Sequence, residues 1–173
     1  MMNQYSASKY LRALERSLAG PHKDPKLDVE AFIIVDEATG RNATLEIDDI
    51  CITLVVNGVE GRLTATEEGR FLPRDRYEVI TYSFHYQHPS GSFRFDSHDG
   101  HELRPHFNDP QGVNTDDRHL YYHRGFGLDA EDMNLWLALN LCQYYSRSGH
   151  FPRDRAFWDE YNTLLRRWRD RIR

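Results

Sequence analysis

The chain has 173 residues and a formal net charge of −5, from 22 basic and 27 acidic side chains. That length fits one domain able to bury a core without covalent staples, and two cysteines, Cys51 and Cys142, exclude a disulfide framework. The negative charge argues against a broad nucleic-acid-coating surface; with no run near the ~18 apolar residues of a membrane span and no apolar signal-peptide core at the start, we expect a cytoplasmic chain that makes no use of a membrane.

Residues 4–19 are predicted to form a helix. Tyr10, Leu11, Leu14 and Leu18 recur at helical spacing, and Gly20-Pro21 ends the pattern. A polar linker, His22 to Asp28, leads to a sheet region expected over 30–123. Its first run, Ala31 to Val35, stops at the turn around Thr39-Gly40. Leu45 and Ile47 then alternate with polar residues, as do Ile50, Ile52, Leu54 and Val56. Asn57-Gly58 is a hairpin turn signal, because both positions tolerate positive φ. Leu63 and Ala65 carry the returning strand, expected to end at Glu67-Glu68-Gly69. A strand over 76–87 pairs with 92–96. A C-terminal helical pair is expected over 129–173. Asp129 caps its first helix, which buries Met133, Trp136, Leu137, Asn140, Leu141 and Tyr144. The second starts near Asp154 and carries an apolar stripe from Phe157 to Ile172. This order predicts a single α+β domain over 1–173: an antiparallel β-sheet of about five to seven strands, with an N-terminal helix and two C-terminal helices on one face.

Histidine is the side chain whose ordinary pKa lies nearest neutral pH. His85, His88, His98, His101, His106, His119 and His123 crowd one stretch, among Arg94, Arg104, Arg118 and several aspartates. The hairpin within it has a register that its own pattern specifies, since a slip of one residue exchanges the faces. A four-residue loop, His88 to Gly91, sets Phe84 opposite Phe95, Tyr86 opposite Phe93, His85 opposite Arg94 and Ser83 opposite Asp96. The aromatic residues, Tyr82 included, then share one face, and His85, Arg94 and Asp96 share the other. A histidine beside a fixed guanidinium and a carboxylate suits an anionic phosphate: arginine holds its oxygens and histidine moves a proton.

The pattern Tyr82-Ser83-Phe84-His85-Tyr86, then Phe93-Arg94-Phe95-Asp96, then Pro105-His106 resembles the TumE-like family of bacterial toxins, over about 50 residues. The sequence departs from that pattern at Phe107-Asn108, where further histidine is expected, and in the insert from Asp109 to Asp117. The resemblance implies a growth-inhibiting, RNA-cleaving toxin partnered by a helix-turn-helix antitoxin. His85, Arg94, Asp96 and His106 would be its catalytic residues, and Tyr82, Ser83 and Arg104 would meet the substrate. No cofactor is needed for that chemistry.

Other arrangements of the same residues compete. His98, His101 and His106 offer ligands to a divalent metal, as in a metal-dependent hydrolase, although their spacing matches no strong motif. The cluster also suits a non-catalytic surface for a protein or nucleic-acid partner. Arg118-x4-His123 has the spacing of the helical HEPN ribonuclease motif, but Gly125 and Gly127 break any helix there. Cys51 and Cys142 read as small buried hydrophobes. The arginines after Arg166 read as the solvated face of a helix.

Overall fold

The computed structural model describes residues 4–18, 32–97, 106–108, 119–121, 133–152 and 154–172, with backbone alone at 4, 106–108, 119–121, 171 and 172. Its strands are β1 (Gln4–Ser6), β2 (Ile33–Asp36), β3 (Arg41–Val56), β4 (Val59–Leu72), β5 (Arg76–His88), β6 (Gly91–Asp96), β7 (His106–Asn108) and β8 (His119–Tyr121). The helices are α1 (Ala7–Leu18), α2 (Leu135–Ser148) and α3 (Arg155–Ile172). The strands form an antiparallel sheet in the order β2-β3-β4-β5-β6-β7-β8, with β1 added against β5. The α+β class is therefore the one expected, with the three described helices towards the two ends of the chain. Among the described residues no helix is long and apolar enough to cross a membrane.

The N-terminal helix is shorter than its periodicity suggests. Tyr5 pairs with Tyr77 as part of β1, so α1 starts only at Ala7. Asp75 captures that start from the β4–β5 turn. Its carboxylate accepts from the Ser8 amide at 2.8 Å and from the Ser6 and Ser8 hydroxyls at 2.7 and 2.8 Å. These bonds, led by that from Ser6, hold the Asp75 carboxyl below its ordinary pKa.

The long hairpin β3–β4 turns at Asn57 and Gly58, both with positive φ (53° and 78°), as their sequence predicts. A bulge between Ile47 and Ile50 explains why the apolar positions change from odd to even numbers along β3. It also turns Cys51 outward. Cys51 is exposed, contrary to its expected burial, whereas Cys142 is buried as expected.

The core lies between the inner face of the sheet and the helices. Phe84, Tyr86, Phe93 and Phe95 are fully or almost fully buried there with Leu45, Ile52 and Leu63. Phe157 of α3 meets Phe93 and Phe95, with ring centroids 5.8 and 6.2 Å apart. Two glycines on β4 make room for two tyrosines of β5. A Cβ at Gly61 would lie 1.9 Å from the Tyr86 hydroxyl, and one at Gly69 would lie 2.1 Å from that of Tyr77. Tyr86 crosses Gly61 to reach Ser146 Oγ of α2 at 2.6 Å.

The first C-terminal helix starts later than expected. Asn134 is extended (φ −154°, ψ 171°) and caps α2, its Oδ1 accepting from the Leu137 amide at 3.0 Å. No helix therefore runs on from Asp129, which lies outside the described residues. Met133 is buried but precedes the helix.

Candidate functional site

The hairpin β5–β6 has the register its pattern specifies: Ser83 opposite Asp96, Phe84 opposite Phe95, His85 opposite Arg94, Tyr86 opposite Phe93 and Gln87 opposite Ser92. Its loop is tighter than the expected four residues. His88 still pairs with Gly91, leaving only Pro89-Ser90 between them, so the register is unchanged. The buried aromatic face packs on the helices and sets the other face outward.

Strand pairing arranges that outer face in two adjoining rows. One row crosses the sheet through Cys51, Thr64, His85, Arg94, Asn108 and His119. The next runs through Thr66, Ser83, Asp96, His106 and Tyr121. Neighbours in a row lie about 5 Å apart, and the rows are two residues apart along each strand. His85, Arg94, Asp96, His106 and Ser83 therefore hold adjoining register positions. His119, read from the sequence only as a member of the cluster, stands in the Arg94 row.

Asp96 is fully buried at the end of β6, and its carboxylate pairs with Arg94 Nε. The Arg94 side chain remains 38 % exposed. An arginine anchored through Nε still has two terminal amino groups with which to grip an oxyanion. The half-buried His85 has its pKa lowered, first by loss of solvent and then by the Arg94 charge. Both effects favour the neutral imidazole, the form able to accept a proton beside a fixed cation.

Other candidates fall elsewhere. Tyr82 is on the inner face, 9 % exposed and stacked on Phe84 with centroids 5.2 Å apart. It packs the core and does not present itself to a substrate on the His85 face. His88 also faces the helices. Its Nδ1 accepts from the Ser90 amide at 3.2 Å, and its ring meets Tyr145 edge-on. Arg104, Arg118, His98, His101 and His123 lie outside the described residues. Among the described residues no group of three or more His, Cys, Asp and Glu is placed to hold a metal ion.

No protein-family model, curated protein or solved structure matches the chain. The functional reading thus stands on the arrangement of the outer face and on the resemblance of its motifs.

Carboxyls other than Asp96 are also buried, at Glu67 and Glu78. Glu67 was expected at a strand end, yet it is fully buried mid-strand on the inner face of β4. The signal was present: Leu63, Ala65 and Glu67 continue one alternation, which puts a carboxyl at a core position.

Proposed function

We propose that the outer face of the sheet is the active site of a toxin-like enzyme, of a bacterial toxin–antitoxin or defence system, that cleaves RNA by acid–base catalysis. Its partner is a helix-turn-helix antitoxin, and it acts in the cytoplasm. The observation carrying this reading is the register that sets His85 opposite Arg94 and Asp96 opposite His106. His85 takes the 2′-hydroxyl proton as the 2′-oxygen attacks phosphorus. The bond from phosphorus to the 5′-oxygen breaks, and His106 gives that oxygen a proton. Arg94, held by Asp96, stabilises the charge gathering on the phosphate oxygens. Ser83 and Arg104 contribute to substrate binding. No step requires a metal.

Inducing the chain in a bacterial host is expected to arrest growth, and the purified protein to cleave RNA in the presence of a chelator. His85→Ala and Arg94→Ala should each reduce cleavage by roughly 10²-fold or more and restore growth; thermal unfolding should be unchanged in His85→Ala but lowered in Arg94→Ala, which leaves the buried Asp96 carboxylate without that partner. Undiminished toxicity in both variants would remove these residues from the mechanism. Cleavage abolished by chelation would move the chemistry to a divalent metal. A folded wild type that is harmless and leaves RNA intact would make the face a binding surface instead.

A further inference from the structure

The row beside His85 and Arg94 carries a second arginine. It crosses the sheet through Thr53, Arg62, Gln87 and Ser92. Arg62 stands two residues before Thr64, the partner of His85. It is therefore the diagonal neighbour of His85, roughly 7–8 Å away. Its side chain is 63 % exposed, and its Nε donates to Glu60 Oε1 at 3.1 Å. Arg94 is held in the same manner. Each arginine is tied through Nε to a carboxylate two residues along its own strand. That tie orients the guanidinium and leaves its terminal amino groups to meet an oxyanion. Glu60 stands on the side of Arg62 away from His85. That pair is open to water, so its hold is weak enough for a phosphate to share the arginine.

The opposite end of the same face is acidic. Glu46 of β3 pairs in register with Glu68 of β4, two rows on from Thr64, and Asp48 and Asp49 occupy the bulge beside them. All four are exposed. Arg70, further along β4, is taken up by Glu78 at 2.6 Å. A polyanion on the His85 row thus meets repulsion in one direction along β4 and a guanidinium in the other.

The register also sets a line for such a polyanion. Arg62 on β4, His85 on β5, Arg94 on β6 and His106 on β7 follow one diagonal across the sheet. In the cleavage proposed above, His85 acts on the 2′-hydroxyl, to the 5′ side of the scissile phosphate, and His106 on the leaving 5′-oxygen. Arg62 lies beyond His85, hence further to the 5′ side. Adjoining rows stand about 6.7 Å apart, close to the step between successive phosphates of an extended strand.

We propose that Arg62 is a second phosphate subsite, holding the 5′-phosphate of the nucleotide whose 2′-oxygen attacks, so that the substrate is extended single-stranded RNA laid diagonally from β4 to β7. Its direction rests on the RNA-cleaving reading; its affinity for phosphate rests on the arginine and its setting. Gln87, directly opposite Arg62, offers an amide to the same phosphate or its sugar.

Two measurements on the full chain separate the subsite from the catalytic reading. With mixed-sequence dinucleotides, NpN, adding a 5′-phosphate should raise kcat/KM about tenfold, mainly through KM, and adding a 3′-phosphate should not. Arg62→Ala should abolish that gain. In anisotropy titrations of 2′-O-methyl RNA, which has no hydroxyl to attack, the slope of log K against log salt should become shallower by about 0.7 in Arg62→Ala. A protein that cleaves nothing, yet shows that change of slope, would remove the catalytic reading and keep the subsite. Cleavage with no gain from the 5′-phosphate, a gain that survives Arg62→Ala, or a gain from the 3′-phosphate instead would overturn the subsite and leave the catalytic reading standing. An unchanged salt slope, or no binding of the uncleavable RNA by the wild type, would also overturn it.

Discussion

Burial and the neighbouring Arg94 guanidinium both act on the His85 imidazole, and both favour its neutral form. A general base works only when unprotonated. If His85 is that base, RNA cleavage should fall on the acid side through a pKa below the ordinary 6.5. A profile of kcat/KM against pH checks this; an acid limb above 6.5 would give the base role to another group. Glu67 shows the opposite balance, because removing a carboxyl from water favours its neutral form. Both residues sit on alternating strands, and only one was read correctly from sequence. His85 has an arginine opposite and a polar face around it, which alternation alone can show. Glu67 stands next to Glu68 and Gly69, which look like the end of a strand. Its real partners, Tyr10, Tyr77 and Leu135, are scattered along the chain and brought together only by the fold.

At the level of elements, the glycine–tyrosine crossings tie the sheet to the helix layer. Tyr86 pairs with Leu63, so Gly61 is its diagonal neighbour, and the missing side chain there lets the ring pass. Ser146 Oγ gives its own hydrogen to the Cys142 carbonyl at 2.8 Å. The bond between the two hydroxyls is therefore donated by Tyr86. Gly61→Ala should displace the ring and cost about 2 kcal/mol of overpacking, measured by urea unfolding. Combining it with Tyr86→Ala should cost less than the two separate losses added together, because the clash is gone. A Gly61→Ala protein as stable as wild type would show that the ring can move without penalty. Elements with a strong local pattern were legible: the Asn57-Gly58 turn and the β5–β6 register follow from positive φ and from aromatic alternation. The start of α2 was misplaced because Asp129 and Asn134 are both acceptable caps by residue type. At the Asn134 end the Leu135 amide also donates to Glu67, 68 residues earlier, a partner that no local pattern reveals.

Across the whole molecule, the sheet separates two kinds of chemistry. Its inner face carries the aromatic core, and its outer face carries hydroxyls, His85 and Arg94. Class and layering were legible because the helices lie at the chain ends and the strands between them. The rows linking β6 to β7 and β8 were not, since three-residue strands have almost no periodicity to read. Cys51 is a built-in reporter of the outer face, standing two strands from His85 in one row. As Cys142 is fully buried, a thiol reagent should label one cysteine in the native protein and two in denaturant. Single-stranded RNA should slow that labelling if it occupies the face; unaffected labelling at saturating RNA would place the contact elsewhere. The Asp75 grip on α1 adds a constraint on the order of events. As the chain is made, α1 lacks the Asp75 bonds until the β4–β5 turn has formed, and β1 lacks its ladder until β5 follows. Both are thus completed only after the middle of the chain, and a polypeptide halted short of residue 75 keeps at the first turn of α1 the local bond from the Lys9 amide to Ser6 Oγ (3.4 Å) without the three that Asp75 adds.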